Sequence, residues 1–375
     1  MLVKFTRPRM ARFSSLHEQT FRRHFAEAFD WVAFNLTLLR LHGRHPDETM
    51  IGVFGASFLP KSGKHTSGLG KFSSSAAGAV RRGLEVSVLG VVCVESRRTF
   101  AVDATQTPSG LSEKKGGYSR VDFYLEQVLD LLSRLESVLY WVGDGYYAKS
   151  KFFDALTERG KHLITKLRTD ANLRYLYEGP PKQGPGAPKK YDGKVHFDDL
   201  SEFESVGVLE DKPHVRILTA QANSPHFRRD LNVVVLSNER DNSYAVLCST
   251  DLGQPADEIV RFYRLRYQIE FVIRDAKQRV GLTHCQARSE GKIDFHLNMS
   301  FAAVNLGRLL CAKAGLSLTS YVREAYNRLL VGRLFSLARP TFEPSSTYRI
   351  RAFSRSFRPD EWIHPYLRSC TDCSS

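Results

Sequence analysis

Between Met50 and Arg168 the hydrophobic period of the chain switches in an order that few folds can use. "MIGVF" (50–54), "LEVSVLGVVCVE" (84–95) and "RTFAVDAT" (98–105) are apolar runs of strand type. "VDFYLEQVLDLLSRLESV" (121–138) then takes up helical spacing. "LYWVGDGYY" is a short strand ending in a Gly-Asp-Gly corner, residues 149–160 are helical again, and "KHLITKLR" (161–168) is a strand. Three strands, a helix, a strand, a helix and a strand predict a mixed α/β sheet with helices packed on it. "GASFLPKSGKHTSGLGKFSSSAAG", between the first two strands, is rich in Gly, Ser and Lys and is expected to be a polar loop.

The remaining chain has a different texture. "EGPPKQGPGAPKKYDGK" (178–194) must be loop, and the strand-like runs "HVRILTAQ", "LNVVVLS" and "SYAVLCST" lie beyond it. Residues 169–250 are therefore expected to form a β-rich insertion. Helical spacing returns near Pro255 and continues to roughly residue 334. At the other end, residues 14–42 are helical with Ser at the start. The tail "TYRIRAFSRSFRP" (347–359) carries four arginines, no acids and interleaved aromatics. The expected division is a helical segment 1–45, a core in two parts (46–168 and 251–320), the insertion 169–250, and a helical, Arg-rich region 321–375.

Charge points to the class of partner. Lys plus Arg is 54 against 40 for Asp plus Glu, a net +14 that favours a polyanion. No run of 18 apolar residues exists, so no membrane span is expected, and "MLVKFTRPRM" lacks the apolar core of a signal peptide. Six scattered cysteines suit reduced thiols in the cytoplasm, and Cys370-x-x-Cys373 has no second pair to complete a zinc site. "LPKSGKHT" is not a P-loop, because Phe58 stands where the first Gly is required and His65 follows Lys64. Lys61 and Lys64 either grip DNA phosphates or belong to a solvated turn. His284, Cys285 and His296 lack a fourth ligand and are expected to serve helix boundaries and packing.

"RFYRLRYQIEFVIRDAKQ" (261–278) is the richest stretch. At about 100° per residue, Tyr263, Arg266, Glu270 and Lys277 fall in one narrow arc. Phe262, Leu265, Ile269, Val272, Ile273, Ala276 and Val280 fill the opposite one. A solvated face with i,i+4 pairing has this pattern. So does a carboxylate held among cations for metal and phosphate binding.

Tyr263-x2-Arg266-x3-Glu270-x6-Lys277 resembles the Tyr-Arg-Glu-Lys signature of bacterial insertion-sequence DDE transposases, and all four spacings match. The preceding "LGQPADEIVRFYRLRYQIE" resembles the family's lead-in, and the likeness spans roughly residues 45 to 315. It implies an RNase H-like fold with a β-rich insertion before the last catalytic helix. It also implies that Glu270 is the third acid of a metal-binding triad, and that Tyr263, Arg266 and Lys277 contact the DNA backbone. "LYWVGDGYYAKSKFFDAL" resembles the family's second-acid motif and assigns Asp144 to that role, although a plain Asp-Gly turn has the same sequence.

The first acid is missing. The family places Asp at the end of the first strand, before a small residue, Ser or Thr, and Lys-Ser-Gly-Lys. Here "MIGVFGASFLPKSGKHT" puts Gly55 at that position. Asp47 precedes the strand and Asp103 lies two strands later, so neither keeps the register. The resemblance thus implies a DNA transposase using two Mg²⁺ or Mn²⁺ ions, with double-stranded transposon ends and target DNA as substrates and a homodimer on DNA, nucleoid-associated in a bacterial cytoplasm. Gly55 implies impaired or absent catalysis, since two-metal phosphoryl transfer needs bridging carboxylates. A non-catalytic DNA-binding relic or regulator and an RNase H-like nuclease are the alternative readings.

Overall fold

The computed structural model describes residues 14, 16–25, 27–42, 48–111, 117–180 and 187–338. Asp47, the arginine-rich tail 347–359, Cys370 and Cys373 lie outside them. Two compact units divide the chain, residues 1–318 and 319–375. Among the described residues the second holds most of one helix, α8 (Leu318–Ala338).

The first unit is built on β1 (Met50–Pro60), β3 (Ala79–Cys93), β4 (Arg98–Gln106), β5 (Tyr140–Val142) and β6 (His162–Leu167). β3 pairs antiparallel with β1 on one edge and with β4 on the other. β5 runs parallel to β1, and β6 parallel to β5. This is the mixed α/β sheet of an RNase H-like transposase fold. Its strands are apolar on both faces because helices cover both. Phe54, Leu89, Val91 and Trp141 face α3 (Arg120–Leu132) and α4 (Ser150–Thr157). Ile51, Val53, Val88 and Val142 face α5 (Ala256–Leu265), α6 (Tyr267–Arg279) and α7 (Glu290–Ala314). The start of α3 is fixed by a capping box in which Ser119 and Asp122 satisfy each other's backbone N–H.

Residues 169–250 add β7 (Arg174–Leu176), β8 (Tyr191–Lys194), β9 (Glu204–Leu209), β10 (Lys212–Ser224), β11 (Arg229–Asn238) and β12 (Tyr244–Ser249). These extend the same sheet, since β12 pairs with β6 and the order continues β11, β10, β7, β8. β9 pairs with β10.

Two expectations are corrected. The polar segment 55–78 contains strand: β1 runs on to Pro60 against β3, and β2 (Gly70–Ser74) pairs with the first five residues of β3, with residues 61–69 left as loop between them. Its Gly and Ser content concealed an alternation in which Leu59 and Phe72 point inward and Lys71 and Ser73 outward. The helical run from Pro255 is also interrupted. The ladder tightens at Arg266, where the Ile269 N–H bonds the Arg266 carbonyl at 3.1 Å, and α6 ends before Gly281, whose φ of +82° is a left-handed stop.

The outer edge of β4 is covered by side-chain amides. Asn298 on α7 accepts from the Ala104 N–H (3.1 Å) and donates to its carbonyl (2.8 Å). Asn305 does the same at Ala101 (3.0 and 2.7 Å) and donates to Asn35 (2.8 Å). Asn35, from α2 (Trp31–Leu41), which follows the short helix α1 (Glu18–His24), donates in turn to the Val102 carbonyl at 3.1 Å. One turn away, burial, Asp103 and Glu290 push the Asp294 carboxyl up to about 6, from an ordinary 3.8. The folded state then holds a proton that the unfolded chain releases, so stability falls as pH rises from about 4 to about 6. Asp294→Asn, which keeps the acceptor for Asn298, is expected to raise the melting temperature at pH 8 and to lose most of that gain at pH 4. Thermal melts at the two pH values check this.

Candidate active site

The parallel register of β1 with β5 sets the site. Ile51, Gly52 and Val53 pair with Tyr140, Trp141 and Val142. Continued two residues past this last pair, the same register would set position 55 opposite Asp144, which follows the end of β5. Both follow residues of the α6-facing side, Val53 and Val142, by two positions. The chain then turns. The Asp144 carboxylate accepts the Tyr146 N–H at 2.9 Å, and the Asp144 carbonyl accepts from Thr165 Oγ1 at 2.8 Å. Gly143 makes the close packing beneath it possible, because a Cβ there would lie 2.3 Å from Phe54 Cε2.

Gly55 has no such reason to be glycine. A Cβ at that position would meet Ile269 Cγ2 at 3.4 Å and Ile273 Cδ1 at 3.9 Å, ordinary packing distances. Its φ is not among the positive values of the chain. The same vector shows where a side chain at 55 would start: beside α6, against the residue that precedes Glu270.

On α6, Glu270 is half exposed (50%) while the Arg266 side chain is 7% exposed, and the two are bonded at 3.0 Å. The Arg266 guanidinium lies 4.8 Å from the Tyr267 ring centre and 5.9 Å from that of Tyr263. The Tyr263 phenol is pushed up by burial first; Arg266 lowers it and Asp144 raises it, so both charges reach the ring. Lys277 donates to Ser57 Oγ and to the Phe58 carbonyl, both at 2.8 Å, and burial lowers its pKa. It ties α6 to the end of β1 just beyond position 55, with one N–H left to donate. Periodicity gives no sign of Ser57 as its partner, because residues 55–60 have the composition of a loop.

Lys61 donates to the Cys285 carbonyl, and Lys64 is exposed. His296 bonds the Leu282 carbonyl at 3.2 Å, and burial lowers its pKa. Asp103, on β4 and two strands across from β1, accepts from Gln127 (2.6 Å) and Thr105 (3.0 Å). Among the described residues no three His, Cys, Asp or Glu side chains are placed to hold one metal ion. Asp144, Glu270 and a glycine are an incomplete donor set for a two-ion centre.

Arg266 is a packed cation as well as an ion-pair partner. Arg266→Ala is expected to destabilise the fold by about 1–2 kcal/mol, and Arg266→Lys to recover less than half, because an ammonium cannot stack as a planar guanidinium does. Denaturant melts of the two variants check this.

No curated protein matches the chain as a relative. Among the described residues no single helix is long and apolar enough to cross a membrane. Residues 123–306 match the family model described as "Transposase DDE domain", a span that contains Asp144, Tyr263, Arg266, Glu270 and Lys277 and begins after Gly55. With the sheet order in agreement, this match identifies residues 123–306, about half of the chain, as a transposase DDE domain.

Proposed function

We propose that the protein binds the ends of an insertion sequence as a DDE transposase whose cleavage and strand-transfer centre is disabled at Gly55. The observation that supports this is the parallel register of β1 and β5 just before Gly55 and Asp144, together with the packing of position 55 against Ile269 on the helix that carries Glu270. The family's chemistry uses divalent metal ions on three acids to activate water or a 3′-hydroxyl against a DNA phosphodiester. Two acids and a glycine do not fit such a centre.

What the remaining residues can do is bind and position. Arg266 is bonded to Glu270 and its guanidinium lies 5.9 Å from the Tyr263 ring centre. Lys277, with one donor free, and Lys61 and Lys64 beyond the end of β1 supply positive charge for the phosphate backbone. Binding is expected to weaken steeply with salt. A homodimer on DNA would hold two ends together.

Gly55 also favours a second reading, a regulator that occupies transposon ends without cutting them. One preparation and two readouts test both. The probe is labelled duplex covering the DNA that flanks the protein's own reading frame, assayed for retardation and for joining to a supercoiled plasmid in Mg²⁺ or Mn²⁺. Retardation with joining at background level is expected. Failure to retard any duplex would defeat the transposase reading, and efficient joining would defeat the disabled centre.

A further inference from the structure

Beyond Pro60 the sheet narrows to a two-stranded ribbon. β1 ends where Pro60 pairs with Gly83, and from there β2 alone accompanies β3, with Lys71 opposite Arg82, Phe72 opposite Arg81, Ser73 opposite Val80 and Ser74 opposite Ala79. Alternation separates its faces. Phe72 and Ser74 are buried, and Arg120 lies 5.4 Å over the Phe72 ring, which anchors the ribbon to the body. Lys71, Ser73, Val80 and Arg82 share the other face, and all four are exposed, Val80 at 63%.

This face is poorly explained by stability. Like charges directly opposite on paired strands repel. An isopropyl group on a two-stranded ribbon in water gains nothing from burial. No acid occurs between Glu48 and Glu85, a stretch with five Lys and Arg, so no local carboxylate offsets the charge. Among the described residues no acid is paired with Lys71, Arg81 or Arg82. Two cations, a hydroxyl and an apolar group on a narrow ribbon match what the wide groove of B-DNA offers: phosphates and guanine edges, hydrogen-bonding bases and thymine methyls.

We propose that the ribbon of Gly70–Ser74 and Ala79–Gly83 enters the major groove of the duplex that leads into the site, with Lys71 and Arg82 on phosphates or guanine edges and Ser73 and Val80 against base edges. This rests on the transposase reading above and adds which part of the protein reads sequence. Five strand residues separate position 55 from the start of the ribbon, roughly 17 Å, so the bases it touches fall within about one helical turn of the bond to be cut.

The test uses the full-length protein and a pool of 30-base-pair duplexes with randomised centres. Fluorescence anisotropy across a salt series gives affinity and salt slope, and sequencing of the bound fraction gives base preference. Lys71→Ala/Arg82→Ala is expected to bind about tenfold or more weakly, with the slope reduced by about two, at roughly 0.9 for each phosphate no longer neutralised. Its melting temperature should equal or exceed that of wild type, because two opposed cations are gone. Ser73→Ala/Val80→Ala is expected to keep the slope and change the bases selected. Unchanged affinity and slope in the first variant, with unchanged selection in the second, would overturn the ribbon alone. A wild-type protein that binds no duplex would overturn the transposase reading as well.

Discussion

Gly55→Asp is expected to raise metal-dependent cleavage of flanking-end DNA by about a thousandfold or more over the wild-type chain. That corresponds to roughly 4 kcal/mol of transition-state stabilisation, a modest demand on a ligand that bridges two ions. The structure makes the substitution unusually clean. The Cβ meets only Ile269 and Ile273, at 3.4 and 3.9 Å, and the backbone needs no left-handed conformation. Stability should therefore change little, apart from carboxylate repulsion relieved by Mg²⁺ or Mn²⁺. Removing either other acid in the same background, by Asp144→Ala or Glu270→Ala, should return cleavage to the wild-type level. Gain of activity that survives both removals would show that cleavage comes from another group.

Asn305→Leu is expected to be the most damaging single change away from the site, costing about 3 kcal/mol or more. The amide of Asn305 satisfies the N–H and carbonyl of Ala101 and the side chain of Asn35, all buried. A leucine leaves a backbone donor and acceptor on a sheet edge without partners, each costing about 1–3 kcal/mol. α7 packs against both β4 and α6, so loosening it also loosens the helix that carries Glu270. Asn298→Leu removes two bonds to Ala104 and should fall just short of the same loss. Chemical denaturation of both variants, read by circular dichroism, checks the order.

The sheet and its helices could be read from periodicity because each core strand contains a continuous buried apolar run. The runs at 84–95 and 98–105 match β3 and β4 closely at their C-terminal ends. Asp144 stands out as an acid where an apolar strand breaks at glycines, and Glu270 as a lone acid among cations. What stays hidden depends on partners distant in sequence. The composition of residues 55–78 argues for loop, and only pairing with β3 turns 55–60 and 70–74 into strand. A helical wheel places Arg266 and Lys277 on a polar arc. It cannot show that Arg266 is buried under two tyrosines, or that Lys277 reaches across to Ser57. Glycine at 55 is visible in the sequence as a departure from the family. That nothing in the packing requires it is visible only from the atoms around it.

Anomalous diffraction from Mn²⁺-soaked crystals of the Gly55→Asp and wild-type proteins tests the central claim most directly. Manganese peaks at the ends of β1 and β5, ligated by the substituted side chain, Asp144 and Glu270, and missing or weak in the wild-type crystals, are the predicted result. Peaks of equal strength in both crystals, or ions bound away from Asp144 and Glu270, would contradict it.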